Sequence, residues 1–158
     1  MAHHHPPMDL LVEYATGALP VAQSACVAAH LSYCQRCRQL VGRLEDVGGA
    51  HLERLDPQPV GESVLESVMA RLDDPEPLRY APNEASDTQL PGLLDRLING
   101  NYADLVWKRV TQSLSISYLK TGDPSHEFAL YRIAEGGRIP EHTHGGSEMT
   151  LVLRGGFA

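Results

Sequence analysis

A proline-rich segment divides the chain. Residues 73–91 carry acidic and small residues between four prolines, namely Pro75, Pro77, Pro82 and Pro91. A segment of this composition buries too little apolar surface to order itself, so we predict a linker over 73–91. The sequence thus predicts two units, residues 1–72 before the linker and residues 92–158 after it.

The first unit has the periodicity of helices. Four stretches place apolar residues at helical spacing. They are Leu10, Leu11, Tyr14 and Ala15; Ala25, Val27, Ala28 and Leu31; Leu40, Val41, Leu44 and Val47; and Val64, Leu65, Val68, Met69 and Leu72. We expect Asp9 to cap the first helix and Gly17 to end it, Pro20 to begin the second, and Gly48-Gly49 to end the third. A loop with Pro57 and Pro59 separates the fourth.

The second unit has the pattern of a β structure. Leu94 and Leu97 predict a short helix, after which apolar runs alternate with turn residues. The predicted strands are residues 105–107, 114–119, 128–133 and 150–153. Short strands at this spacing are typical of an all-β sandwich or barrel. The fold class predicted for the whole chain is therefore α + β.

The charge balance excludes two kinds of direct partner. Thirteen Lys and Arg against twenty Asp and Glu give a net charge of −7, whereas nucleic acids and anionic membranes require positive charge.

No stretch approaches the ~20 apolar residues that span a bilayer, and the N-terminus lacks the pattern of a signal peptide. Three cysteines in such a chain favour metal or redox chemistry over structural disulfides. We expect a cytoplasmic protein.

The spacing of His30, Cys34 and Cys37 predicts a metal site. His30 and Cys34 lie one helical turn apart, so both side chains can point at one ion. Cys37 lies just past the turn and brings in the next helix. Thiolate and imidazole together favour zinc, which takes four ligands in a tetrahedron.

Two sources of the fourth ligand stand in the sequence. Cys26 precedes His30 by one turn, but along a continuous helix it is about 12 Å from Cys34, which is too far for one zinc ion. We therefore expect Cys26 to be a small apolar core residue. The other source is the triplet His3-His4-His5, just before the first helix.

This ligand order resembles the zinc-binding anti-sigma factors. In that family a histidine near the N-terminus precedes the H-x3-C-x2-C motif on a short helical domain. The resemblance implies that His5, His30, Cys34 and Cys37 are the zinc ligands, and that residues 1–72 form a zinc-stapled anti-sigma domain.

A second set of metal-ligating residues lies near the C-terminus. The stretch Gly136-x5-His142-x-His144-x3-Glu148-x6-Gly155 matches the first cupin motif. Residues two apart on a strand share a face, so His142 and His144 would point into a barrel, and Glu148 would return to the same ion after the Gly145-Gly146 turn. Two imidazoles and a carboxylate suit zinc, manganese or iron.

A helical zinc domain followed by a cupin resembles the ChrR-type anti-sigma factors. The resemblance implies an extracytoplasmic-function sigma factor of the RpoE type as partner, and a response to singlet oxygen or organic hydroperoxides. The second cupin motif, which supplies the closing strands and a last histidine, does not follow Gly155. Residues 92–158 are therefore expected to be the N-terminal part of a truncated cupin, an incomplete antiparallel β-barrel of the jelly-roll kind.

The sequence leaves several functions open. The first is repression: the apolar stripe from Val64 to Leu72 can dock in a partner's groove, although packing on the bundle would also bury it. The second is a metal-dependent cupin dioxygenase, which would need a closed pocket. The third is a redox sensor that works through Cys34 and Cys37. We expect a non-enzymatic repressor whose incomplete cupin does not itself sense.

Overall fold

The computed structural model describes residues 4–72, 91–98 and 102–156. The predicted linker lies outside these residues apart from Pro91, so its two boundaries stay predictions. The helices of the described part are α1 (Met8–Ala15), α2 (Val21–Tyr33), α3 (Gln35–Leu52), α4 (Ser63–Ala70) and α5 (Gly92–Ile98). The strands are β1 (Lys108–Arg109), β2 (Leu114–Tyr118) and β3 (Ala129–Ile133). The predicted α + β class is confirmed.

The helix ends follow the sequence signals with three differences. Gly17 ends α1 with a φ of 72°, as predicted. However, α1 begins at Met8, and Asp9 accepts from the Leu10 N–H inside its first turn. Pro20 directly precedes α2 instead of opening it. Helix α3 runs past the two glycines to Leu52, because a glycine weakens a helix by only about 1 kcal/mol and does not break its hydrogen bonds.

Helices α1, α2 and α3 enclose the core of the N-terminal part. Its buried members are Leu11, Leu19, Val27, Leu31, Cys34, Cys37 and Val41. Both cysteines of the predicted metal motif therefore belong to the core. A small core of this kind gains from a staple, and the cysteines lie where a bound ion would provide one.

Leu11 is the core residue whose truncation we expect to be most informative, since it is 1% exposed. Leu11→Ala should lower the free energy of unfolding by about 2–5 kcal/mol, because it leaves a cavity between the helices. Val12→Ala, on the solvent side of the same helix, is the matched control. Urea unfolding followed by circular dichroism measures both. Equal stability of the two variants would show that α1 does not pack as described.

Helix α5 packs against α2, although the predicted linker separates them in sequence. Pro91 and Leu94 are buried. On α2, one face carries the buried alanines Ala22, Ala25 and Ala29, which are not members of the core cluster. Helix α2 is thus covered on two sides, by α1 and α3 on one and by α5 on another. Helix α5, the first element of the predicted β unit, is therefore attached to the helical bundle.

Helix α4 stands away from this core. Every residue from His51 to Leu72 is exposed. The exposed apolar side chains include Val64, Leu65, Val68, Met69 and Leu72, which are between 46% and 69% exposed. The fourth predicted helix is therefore present, but its apolar stripe does not pack on the bundle.

The β part is a three-stranded antiparallel sheet of order β1-β2-β3. Leu114 pairs with Ile133 and Tyr118 with Ala129, while Lys108 pairs with Ile116. The predicted strands 114–119 and 128–133 are confirmed to within a residue. Leu114 and Ile116 are buried on one face of β2. The described residues thus form a small open sheet, and the incomplete cupin barrel stays a prediction.

Two predicted strands are wrong. Residues 105–107 follow a short 3₁₀ turn at Tyr102–Asp104, and the pairing begins only at Lys108. Trp107 instead packs edge-on against Tyr102, with the Arg132 guanidinium 4.0 Å from the centre of its ring. Residues 150–153 form no strand, and they pair with none of the three described strands.

Candidate metal centre

A sharp corner between α2 and α3 places the predicted ligands. His30 lies in the last turn of α2, and Cys37 lies in the first turn of α3. Cys34 is the single extended residue between the helices, with a φ of −115° and a ψ of 99°. This one-residue corner folds α3 back so that both cysteine side chains turn toward His30. His5 reaches the same place from the segment before α1.

The donor atoms of these four residues lie within 4.8 Å of one another. Nδ1 of His5 is 3.4 Å from the sulfur of Cys34 and 3.4 Å from that of Cys37. The rings of His5 and His30 are perpendicular, with centres 5.8 Å apart. With bonds of about 2.0–2.3 Å, neighbouring ligands of tetrahedral zinc are about 3.3–3.8 Å apart. The cluster has nearly the size that such an ion needs.

One buried atom in the cluster indicates that something should bind there. Nε2 of His30 is buried and has no hydrogen-bond partner among the described residues. A buried polar atom without a partner costs about 1–3 kcal/mol. A metal ion would satisfy this atom. His30, Cys34 and Cys37 are buried, whereas His5 is exposed and covers the cluster from the solvent side.

The surroundings shift the pKa values of the three buried residues of the cluster. A hydrogen bond from the Cys37 backbone N–H is the main reason that the pKa of Cys34 lies below its usual value. Burial raises the pKa of Cys37, and the neighbouring Cys34 sulfur raises it further. Burial, then the charge of His5, lowers the pKa of His30. Metal binding needs thiolates and a neutral imidazole, so the lowered pKa values of Cys34 and His30 favour the ligand forms, whereas the raised pKa of Cys37 opposes its own.

The structure leaves Cys26 out of this cluster. Its side chain is partly buried, and burial raises the pKa of its thiol, which disfavours the thiolate that a metal would need. Of the histidine triplet, His5 lies in the cluster, His4 is exposed outside it, and His3 is not among the described residues.

The second predicted set also comes together, but in a different setting. The donor atoms of His142, His144 and Glu148 lie within 4.8 Å of one another, and all three residues are exposed. Nε2 of His144 is 2.8 Å from a carboxylate oxygen of Glu148. These residues do not lie on strands and do not point into a barrel, in contrast to the prediction, because residues 137–152 have no paired strand in the described part of the chain. Three exposed ligands would leave the remaining positions of an ion to water.

Sequence reasoning missed one residue at the first cluster. The guanidinium of Arg38 donates to the backbone carbonyls of Leu31 and Ser32, so it crosses the corner between α2 and α3. Its position four residues after Cys34 on the following helix was the signal that could have found it.

Comparison with known proteins assigns the family. The chain is 38% identical over 154 residues to the Anti-sigma-E factor ChrR of Cereibacter sphaeroides, which covers 98% of this chain and 71% of that protein. The chain belongs to the ChrR family of anti-sigma factors. The predicted family is therefore confirmed, and with it a place among the regulators of transcription. No protein-family model matches the sequence.

A solved structure of this ChrR family has the same fold. The crystal structure of Rhodobacter sphaeroides SigE in complex with the anti-sigma ChrR matches at a TM-score of 0.63 and 35% identity. The match covers 77% of this chain and 63% of the solved chain, which is less than two thirds of its length.

In the described part of this ChrR-type chain, no helix is long and apolar enough to cross a membrane.

Proposed function

We propose that the chain binds an extracytoplasmic-function sigma factor and thereby represses transcription. The observation that carries the proposal is the 38% identity to the Anti-sigma-E factor ChrR, together with the solved complex of ChrR with SigE. A sigma factor works on RNA polymerase, so the proposal places the chain in the cytoplasm.

The exposed stripe of α4 is the proposed contact surface. Val64 and Val68 lie one turn apart on α4, with Leu65 and Met69 beside them, and Leu72 follows just past the end of the helix. Apolar side chains that stay exposed along one helix face are typical of a helix that docks in a partner's groove. Because α4 is already helical and packs on no part of the bundle, docking would not have to disrupt the core.

The proposed role of the first cluster is to hold zinc as a structural staple. Two sulfur and two imidazole donors are a set that zinc prefers, and the closed arrangement of four protein ligands is typical of structural sites. His30, Cys34 and Cys37 would join α2 to α3, and His5 would fasten the N-terminus to them. A bound ion would thus fix the bundle from which α4 extends.

The second cluster is a second proposed metal site, but its exposed ligands lie on no strand in the described residues, so we do not propose that this chain senses through it. His142, His144 and Glu148 would hold zinc or another divalent ion, and the ChrR resemblance links such a domain to singlet oxygen and organic hydroperoxides. Support for metal binding here comes from the residues of the cupin motif and from the spacing of their donor atoms. The proposed function involves no catalysis.

A transcription assay tests the proposal. The purified full chain, loaded with zinc, should form a 1:1 complex with a SigE-type sigma factor on size exclusion and stop transcription from a promoter that this sigma factor reads. A housekeeping sigma factor with its own promoter is the control and should be unaffected. Unchanged SigE-dependent transcription at excess of the chain would overturn the proposal.

A further inference from the structure

The corner between α2 and α3 depends on more than its metal ligands. Its single extended residue, Cys34, offers no side-chain cap to α3. The Cys34 N–H donates to the carbonyl of His30 at 3.0 Å, and the Cys34 carbonyl accepts from the Arg38 N–H at 3.1 Å. The backbone of Arg38 is therefore fixed to one side of the corner.

The side chain of Arg38 is fixed to the other side. It donates from one guanidinium nitrogen to the carbonyls of Leu31 and Ser32, the latter at 3.2 Å. The last carbonyls of a helix have no partner within the helix, and a cation at this end is stabilised by the helix dipole. Arg38, which lies on α3, thus donates hydrogen bonds to two carbonyls at the end of α2.

These contacts lie between two ligands in the chain. Leu31 and Ser32 stand between His30 and Cys34 in the chain, so a shift of the backbone in this short stretch would alter the distance between the two donor atoms. A metal site requires its ligands within about 0.5 Å of their binding positions. The residue that fixes this short stretch therefore also determines where the two ligands lie relative to a bound ion.

We propose that Arg38 is a positioning residue for the metal centre, whose guanidinium clamps the corner so that His30 and Cys34 meet one ion. The inference rests on the proposed metal binding and adds a residue that touches no metal itself. Partners that orient ligands in this way are typically worth a 10–100-fold change in metal affinity.

Metal affinity of the full-length chain tests the proposal. Cobalt(II) is the probe, titrated against a competing chelator, because its visible absorption reports tetrahedral sulfur and nitrogen coordination. Arg38→Met keeps the length of the side chain and removes its donors, and it should weaken cobalt binding about 10–100-fold and alter the shape of the absorption band. Arg38→Lys restores the charge and one donor, so it should recover part of the affinity.

Arg43→Met is the matched control, since it removes the same charge from an exposed position on α3. It should leave both the affinity and the cobalt band unchanged. If Arg38→Met binds cobalt as tightly as the wild type, or if Arg43→Met weakens binding as much, the positioning role is wrong. A merely structural Arg38 would lower the melting temperature of the chain and leave the cobalt band and affinity as they are, which would also overturn the proposal.

The wild-type titration separates this inference from the proposed function. A wild-type chain that binds no cobalt would overturn the metal centre and the role of Arg38 together. Repression of SigE-dependent transcription is measured independently, so a failure there would leave the assignment of Arg38 untouched. Should Arg38→Met not fold, Arg38→Lys supplies the same comparison at a smaller expected loss.

Discussion

Replacing Cys34 with serine will remove zinc from the first cluster and unfold the helical part of the chain. Cys34 is both a proposed ligand and a member of the buried core. Structural zinc binds with about 10–16 kcal/mol in small domains, where that binding energy is folding energy. Since whole domains are stable by only about 5–15 kcal/mol, the loss of one ligand should exceed what the core can supply. Elemental analysis and circular dichroism on the purified variant measure the two losses.

Cys26→Ser is the matched control for this experiment. It makes the same chemical change on α2, outside the cluster. Zinc content should stay at one equivalent per helical bundle, and the helix signal should remain. Loss of zinc in Cys26→Ser, or its retention in Cys34→Ser, would show that the ligand set is wrong.

A negative charge at the centre of the α4 stripe will break the complex with the sigma factor. Val68 is 54% exposed, so Val68→Asp should leave the fold and the zinc content unchanged. At a desolvated interface, however, an unpaired carboxylate costs several kcal/mol. A loss of about 3 kcal/mol corresponds to more than a 100-fold weaker complex. Isothermal titration with a SigE-type sigma factor measures the change.

Ser67→Asp adds the same charge to the neighbouring position of α4, off the apolar stripe. Its hydroxyl bonds only to the carbonyl of Ser63 on the same helix in the described structure. Binding should change by less than about 1 kcal/mol, because a charge on a solvated face loses little hydration. Equal weakening by both variants would mean that α4 binds through another face, and no weakening by Val68→Asp would mean that α4 is not the contact.

The sequence was most informative where the physics is local. The spacing of His30, Cys34 and Cys37 determines a common meeting point, since a helical turn and a short corner leave little freedom. The family resemblance, not the spacing, singled out His5 among the three histidines, because a segment before the first helix has no periodicity to fix its direction. The end of the first helix at Gly17 was predicted equally well, because glycine readily adopts the positive φ found there.

The misses arise from contacts between distant parts of the chain. Residues 150–153 have the composition of a strand, but a strand exists only when a neighbour pairs with it. Trp107 was expected in a strand and lies against Tyr102 and Arg132 instead. The alanines of α2 gave no sign that α5 would cover them, because small residues on a helix face fit many partners. Arg38 was overlooked because its spacing from Cys34 places it near the corner but does not show that its side chain bonds to the carbonyls of Leu31 and Ser32.

The packing of α5 on α2 gives α4 two tethers. The segment that carries α4 follows α3, which is anchored in the core by Val41, and precedes α5, which packs on α2. Residues 53–62, between α3 and α4, can extend to about 35 Å at most. A protein bound by α4 must therefore stay within about 35 Å of the end of α3. Releasing α5 from α2 would leave α4 attached to the bundle through α3 alone.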